Sequence, residues 1–92
     1  MITVKFYTLL RLYLRRNEVA LDLGQATVGQ VLAAAQAMIA TPFVGKLLDH
    51  AGTLKAGTII LVNGRNIIHM DELGTVVSDG DVVALFPPGG GG

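Results

Sequence analysis

The side chains that could carry out catalysis are few in this sequence, and their spacing does not suit it. The chain has no cysteine, which excludes a thiol nucleophile, thiolate metal ligands and disulfides. Neither of its two histidines stands at metal-ligand spacing from another ligand. Two carboxylate pairs, Asp71–Glu72 and Asp79/Asp81, lie beside turn signals, where such pairs usually serve the turn. We therefore expect a protein that is not catalytic on its own and binds no metal or cofactor.

The carboxyl terminus is the feature with a direct chemical use. The chain ends "ALFPPGGGG", in which two prolines stiffen the base of a run of four glycines. Fully extended, residues 87–92 reach about 20 Å. Such a tail can enter a tunnel too narrow for other residues, although ordering each glycine costs about 1–2 kcal/mol. The pattern favours a carrier whose chemistry occurs on the carboxyl group of Gly92, while a partner supplies the catalytic groups. A frayed terminus is the alternative that the tail alone leaves open.

Composition restricts the class of protein and of partner. The 92 residues are 51% hydrophobic and 15% charged, which suits one domain with one core. Seven Lys/Arg balance seven Asp/Glu, so no basic surplus favours nucleic acid. The start, "MITVKFYTLL", lacks the layout of a signal peptide, and no apolar run approaches the roughly 20 residues that span a bilayer. We expect a cytoplasmic protein that binds neither nucleic acid nor membrane.

Alternating hydrophobicity predicts strands at both ends of the chain. Ile2, Val4 and Phe6 mark one face of a first strand, "EVALDL" forms a second antiparallel one, and "DVVALF" is the last. Between the first two, "LLRLYLRRN" is ambiguous, although it is apolar enough for a helical turn. In the middle, "TIILVNGRNII" predicts a strand, a tight turn at Asn63–Gly64 and a return strand that begins at Ile67. The following "HMDELGTVVSDGD" is loop-like.

The main helix has a clear start. Thr27 and Gln30 have the spacing of a capping box, in which each side chain binds the other residue's backbone N–H. The helix should end before Pro42, which suits the first position of a second short helix through Leu48, with Thr41 as its cap. The apolar stripe of the main helix comprises Val28, Val31, Leu32, Ala35, Met38 and Ile39.

These elements predict a two-layer α+β domain, with a mixed sheet of about four to five strands on one main helix. One helix covers one sheet face, so the other face stays open. If Val83 and Leu85 are core, Phe86 points outward, and by the same alternation Tyr7 and Leu61 share its face. An apolar patch beside the tail would be a partner surface.

Taken together, the residues resemble the small subunit of molybdopterin synthase, within the ubiquitin-like (β-grasp) sulfur-carrier families. The matching stretches span nearly the whole chain: "MITVKFYTLLRLYL", "TVGQVLAAA", "GTLKAGTIILVNGRNI" and "VVSDGDVVALFPPGGGG". The most specific piece is Phe-Pro-Pro, two variable residues and Gly-Gly, which residues 86–92 satisfy. Gly89 and Gly90 stand where family members usually carry bulkier residues.

The resemblance implies a β-grasp domain over residues 1–86 and a flexible tail over residues 87–92. It implies that a ubiquitin-activating-type enzyme uses ATP to adenylate Gly92, and that sulfur then converts this end into a thiocarboxylate. The large subunit of molybdopterin synthase would take the sulfur for the dithiolene of the molybdenum or tungsten cofactor. The residues through which partners would recognise the tail are Pro87, Pro88, Gly89, Gly90 and Gly91.

Three other functions fit the same sequence. The carrier could deliver sulfur to thiazole, cysteine or tRNA. It could be a protein modifier joined through Gly92 to lysines of target proteins, since both routes begin with the same acyl-adenylate. It could also be a passive binding domain that uses its sheet face alone.

Overall fold

A computed structural model describes residues 1–89 of the chain. The helices are α1 (Thr8–Leu14) and α2 (Val28–Met38), and the strands are β1 (Ile2–Phe6), β2 (Glu18–Leu21), β3 (Gln25–Thr27), β4 (Ile59–Val62), β5 (Arg65–Asn66), β6 (Val76–Ser78) and β7 (Val82–Phe86).

Five strands form one mixed sheet in the order β2-β1-β7-β4-β5. The central pair, β1 and β7, is parallel, and each of the other neighbours is antiparallel. The last strand of the chain, β7, is also the central strand of this sheet, so the tail leaves from the middle of the sheet. This sheet with α2 across one face is the β-grasp fold, so the predicted fold class is confirmed.

The core lies between the sheet and α2, as the alternation in the sequence predicts. Ile2, Val4 and Phe6 are buried, and Val83 and Leu85 lie beside them in register. The residues of α2 and its end that cover this face are Val28, Val31, Leu32, Ala35 and Ile39.

The start of α2 confirms the capping box, whereas its end departs from the predicted stripe. The Thr27 hydroxyl accepts a hydrogen bond from the Gln30 backbone N–H at 3.1 Å, and the Gln30 side chain accepts one from the Thr27 N–H at 2.9 Å. Met38 was predicted to be core, but it is 58% exposed. The helix ends at Met38, and the extended backbone of Ile39 turns that side chain inward instead.

The predicted second helix over residues 42–48 is wrong, because only Val44–Lys46 forms a 3₁₀ turn and Thr41 does not cap it. A side chain from α2 supplies the missing partners. The Gln36 amide oxygen accepts from the backbone N–H groups of Phe43 and Val44, at 2.8 and 3.2 Å. Its NH₂ group donates to two backbone carbonyls of residues 39 and 41, each at 3.0 Å. One glutamine thus satisfies four backbone groups of this irregular segment, two N–H groups and two carbonyls.

Three further segments differ from the sequence-based prediction. The ambiguous segment after β1 forms the helix α1. The loop-like segment after residue 68 contains β6, which pairs with β3 in a separate two-stranded sheet. The turn at Asn63–Gly64 has positive φ at both residues, as predicted, but the return strand is Arg65–Asn66, and a 3₁₀ turn begins at Ile67. Segments this short depend on their pairing partner, which local sequence does not reveal.

Candidate functional site at the base of the tail

The end of β7 positions the start of the tail. Val83 and Leu85 point into the core, so Phe86, one residue on, points to the opposite, open sheet face. Phe86 is the last residue of β7 and is half-buried, as are Pro87 and Pro88 after it. Two prolines cannot donate ladder hydrogen bonds, so the strand ends where the tail begins.

Tyr7 stacks on Phe86 and fixes that corner of the sheet. The ring centroids lie 4.6 Å apart and the ring planes differ by 8°. Tyr7 follows β1 directly, and its backbone N–H donates to the Leu85 carbonyl at 3.1 Å. The chain reverses at Thr8, which has a φ of 51°, an unusual conformation for a β-branched residue. Because α1 begins at this residue, the chain leaves the strand direction directly after Tyr7.

Leu61, the third residue predicted for the partner surface, lies on the same open face but further from the tail. It is the register partner of Ala84, whereas Ile59 is the partner of Phe86. Ile59 is 42% exposed, and it is the residue that the sequence-based prediction missed. The alternation of Ile59 and Leu61 in "TIILV" carries this signal, but only the register shows which of the two lies beside the aromatic pair.

Gly57, in the loop before β4, lies against the base of the tail. It has a φ of +89°, which favours glycine. A Cβ built at Gly57 would lie 3.4 Å from the Cα of Pro88 and 3.5 Å from its Cβ, so the backbone of this loop lies directly against the second proline. Gly89 follows it into open space, with no heavy atom within 4 Å of a Cβ built there. The tail base therefore emerges between the aromatic pair and the Gly57 loop.

The other predicted tail residues lie outside the described part of the chain. Gly90, Gly91 and Gly92 are not among residues 1–89, so their predicted roles stay predictions. Within the described range, no group of three or more histidines and carboxylates could hold a metal ion. The described arrangement holds the start of the tail at the end of β7.

Comparisons with known proteins agree with this geometry. Residues 4–92 match the ThiS family. The chain belongs to that family. Small archaeal modifier protein 3 of Haloferax volcanii is 40% identical over 67 residues, which are 73% of this chain and 71% of that protein. A protein of Archaeoglobus fulgidus named as a candidate sulfur carrier is 32% identical over 79 residues, 86% of this chain and 89% of the relative. The solved structure of SAMP1 from Haloferax volcanii is 29% identical with a TM-score of 0.82, covering 99% of this chain and 98% of that one.

The family assignment confirms the resemblance at the level of the ubiquitin-like sulfur carriers and modifiers. It does not extend to the molybdopterin pathway, to the thiocarboxylate or to named partner enzymes, which stay predictions. Among residues 1–89, no helix combines the length and the apolar character needed to cross a membrane.

Proposed function

We propose that this ThiS-family protein is a sulfur carrier that acts through its C-terminal carboxyl group as the small subunit of a molybdopterin synthase. The observation that carries the proposal is the tail base: Phe86 stacked on Tyr7 at the end of β7, followed by two prolines that lead into glycines. The same base would serve any partner that must receive the tail in one direction.

The chemistry proceeds on the tail and not on the domain. In the activating partner, a carboxylate oxygen of Gly92 attacks the α-phosphorus of ATP, and pyrophosphate leaves. A sulfide equivalent then attacks the acyl-adenylate carbonyl, AMP leaves, and the thiocarboxylate remains. The large synthase subunit takes this sulfur to build the dithiolene. The domain contributes docking surface and tail direction, while ATP is bound and used by the partner.

A second candidate function is protein modification through Gly92. The name of small archaeal modifier protein 3, the 40% identical relative, favours it. In that route, the acyl-adenylate is attacked by a lysine amine of a target protein instead of by sulfur, and AMP leaves in the same way.

The deciding measurement is intact mass spectrometry of the protein purified from its native host without reducing thiols, with a parallel search for conjugates. A population heavier by the difference between one sulfur and one oxygen supports the carrier. Isopeptide adducts ending at Gly92 favour the modifier. The unmodified mass alone, even after incubation with the activating enzyme, ATP and a sulfide source, contradicts both.

A matched pair of variants separates tail chemistry from passive binding. Gly92→Ala places a methyl group at the reacting residue and should abolish the modification. Gly24→Ala places the same methyl in open space at a glycine outside the tail and should retain the modification. A passive binding domain would tolerate both substitutions. Full activity of Gly92→Ala in the host pathway would therefore contradict the carrier proposal.

A further inference from the structure

A groove of about 610 Å³ lies beside the tail base. Its walls come from α1, from the segment after α2, and from the tail base itself. The residues that line it are Leu9, Leu10, Tyr13, Lys46, Lys55, Ala56, Pro87 and Pro88. We call this surface the tail-base groove.

The groove combines apolar walls with the ammonium groups of two lysines. Leu9 and Tyr13 are 50% and 44% exposed and stand four residues apart on α1, so they share one face of the helix and form an apolar patch. Within residues 1–89, neither Lys46 nor Lys55 forms an ion pair with a carboxylate. The acid on the neighbouring rim, Asp49, is already occupied: its carboxylate accepts from the hydroxyl and backbone N–H of Thr53.

The Lys46 side of the groove is held in place before any partner arrives. The Tyr13 hydroxyl donates to the Pro42 carbonyl at 2.9 Å, which ties α1 to the segment after α2. The Lys46 ammonium lies 4.3 Å from the centroid of the Tyr13 ring. A cation–π contact leaves ammonium donors free for a carboxylate, so an acidic group can bind here without rearrangement.

We propose that the tail-base groove binds an acidic, apolar segment of the enzyme that activates the tail, an inference that rests on the proposed function. Pro87 and Pro88 are at once the base of the tail and a wall of the groove. An enzyme that encloses the tail down to these prolines therefore lies against this groove as well as against the open sheet face. Carboxylates on that enzyme complement the two lysines, and its apolar side chains cover Leu9 and Tyr13.

The test measures ATP-dependent pyrophosphate exchange with the activating enzyme from the same host, at several salt concentrations. The variants are Lys46→Glu and Lys55→Glu, and the matched control is Arg65→Glu. The control has the same charge change but lies away from the tail. Arg65 pairs with Val62 of β4, which pairs with Val83 near the start of β7, whereas the tail leaves from the end of β7. We expect kcat/KM to fall about tenfold for each lysine variant at low salt, and the loss to shrink as salt rises.

A charge-neutral variant tests the apolar half of the groove. Leu9→Gln should lower kcat/KM with little dependence on salt, because it removes apolar contact and no charge. Melting temperatures measured on all variants show whether each one is folded. Folded lysine variants that are activated as fast as Arg65→Glu overturn the docking proposal while leaving the carrier proposal intact.

Other outcomes identify other occupants and also overturn the proposal. Faster activation of the lysine variants than of wild type would mean that the protein's own carboxyl terminus occupies the groove and must be released. A dimer in light scattering that the lysine variants dissociate would mean that a second copy binds there. No exchange with wild-type protein would instead be a failure of the proposed function itself.

Discussion

The contact between Gly57 and Pro88 predicts that one loop glycine aims the tail, and a second glycine in the same loop provides the control. Gly52 and Gly57 both have positive φ, at +80° and +89°. A Cβ at Gly52 would meet no heavy atom within 4 Å, whereas one at Gly57 would touch Pro88 at 3.4 Å. The two alanine variants therefore share the backbone strain and differ in their contact with the tail.

The strain sets the expected loss of stability for both variants. An L-residue in the left-handed region costs about 1–2 kcal/mol, and about 1 kcal/mol lowers the Tm of a domain of this size by roughly 4–8 °C. Thermal unfolding followed by circular dichroism should give similar losses for Gly52→Ala and Gly57→Ala. Relaxation of the strained backbone at residue 57 would shift a loop that lies against Pro88, whereas relaxation at residue 52 would not reach the tail base.

This shift of the loop against Pro88 predicts the difference between the two variants. If restoring the tail direction on binding costs the same 1–2 kcal/mol, the Gly57→Ala tail enters its partner roughly 5–30-fold less often. We expect kcat/KM for ATP-dependent activation to fall by that factor for Gly57→Ala and to stay near wild type for Gly52→Ala. Equal activation of the two variants at equal stability would refute the reasoning, because the contact with Pro88 would then have no role in directing the tail.

Three further predictions concern the frame that holds the site. Gln36→Glu keeps an acceptor for the two backbone N–H groups but removes the donor to two carbonyls, so the free energy of unfolding should fall by about 1–3 kcal/mol in urea. Phe86→Leu keeps an apolar side chain but loses the stack on Tyr7, which should cost about 0.5–1.5 kcal/mol by the same measurement. Hydrogen bonds from the Asn63 side chain and the Ser78 backbone lower the pKa of Asp81. Its stabilising effect is therefore complete above the unfolded pKa and is lost as the pH falls through the lower folded value. Asp81→Asn should flatten the acid end of a plot of Tm against pH.

Each of these has an outcome that contradicts it. Wild-type stability of Gln36→Glu would mean that water replaces the lost donor at no cost. Phe86→Leu should retain a cooperative transition, and an unchanged free energy of unfolding would show that the stack adds nothing beyond apolar burial. If Asp81→Asn titrates like wild type between neutral and acid pH, another carboxylate controls that range.

The sequence patterns that predicted structure correctly are those whose interacting residues lie close together in the chain. The capping box joins residues three apart, and the Asn63–Gly64 turn depends on the φ that its own two residues tolerate. Strand alternation needs only one buried face, so Ile2, Val4 and Phe6 were placed correctly. The Phe-Pro-Pro and glycine tail pattern, together with the resemblance along the chain, was sufficient to identify the family.

Contacts between distant segments were decided by the tertiary structure alone. The strand β6 exists because β3 lies beside it, and Met38 is exposed because the chain turns at Ile39. The 78 residues between Tyr7 and Phe86 do not reveal that the two rings meet, whereas the parallel pairing of β1 and β7 brings them to 4.6 Å. The sequence pattern of a short segment determines its local conformation. Which residue lies opposite it across the sheet depends on the register of the paired strands.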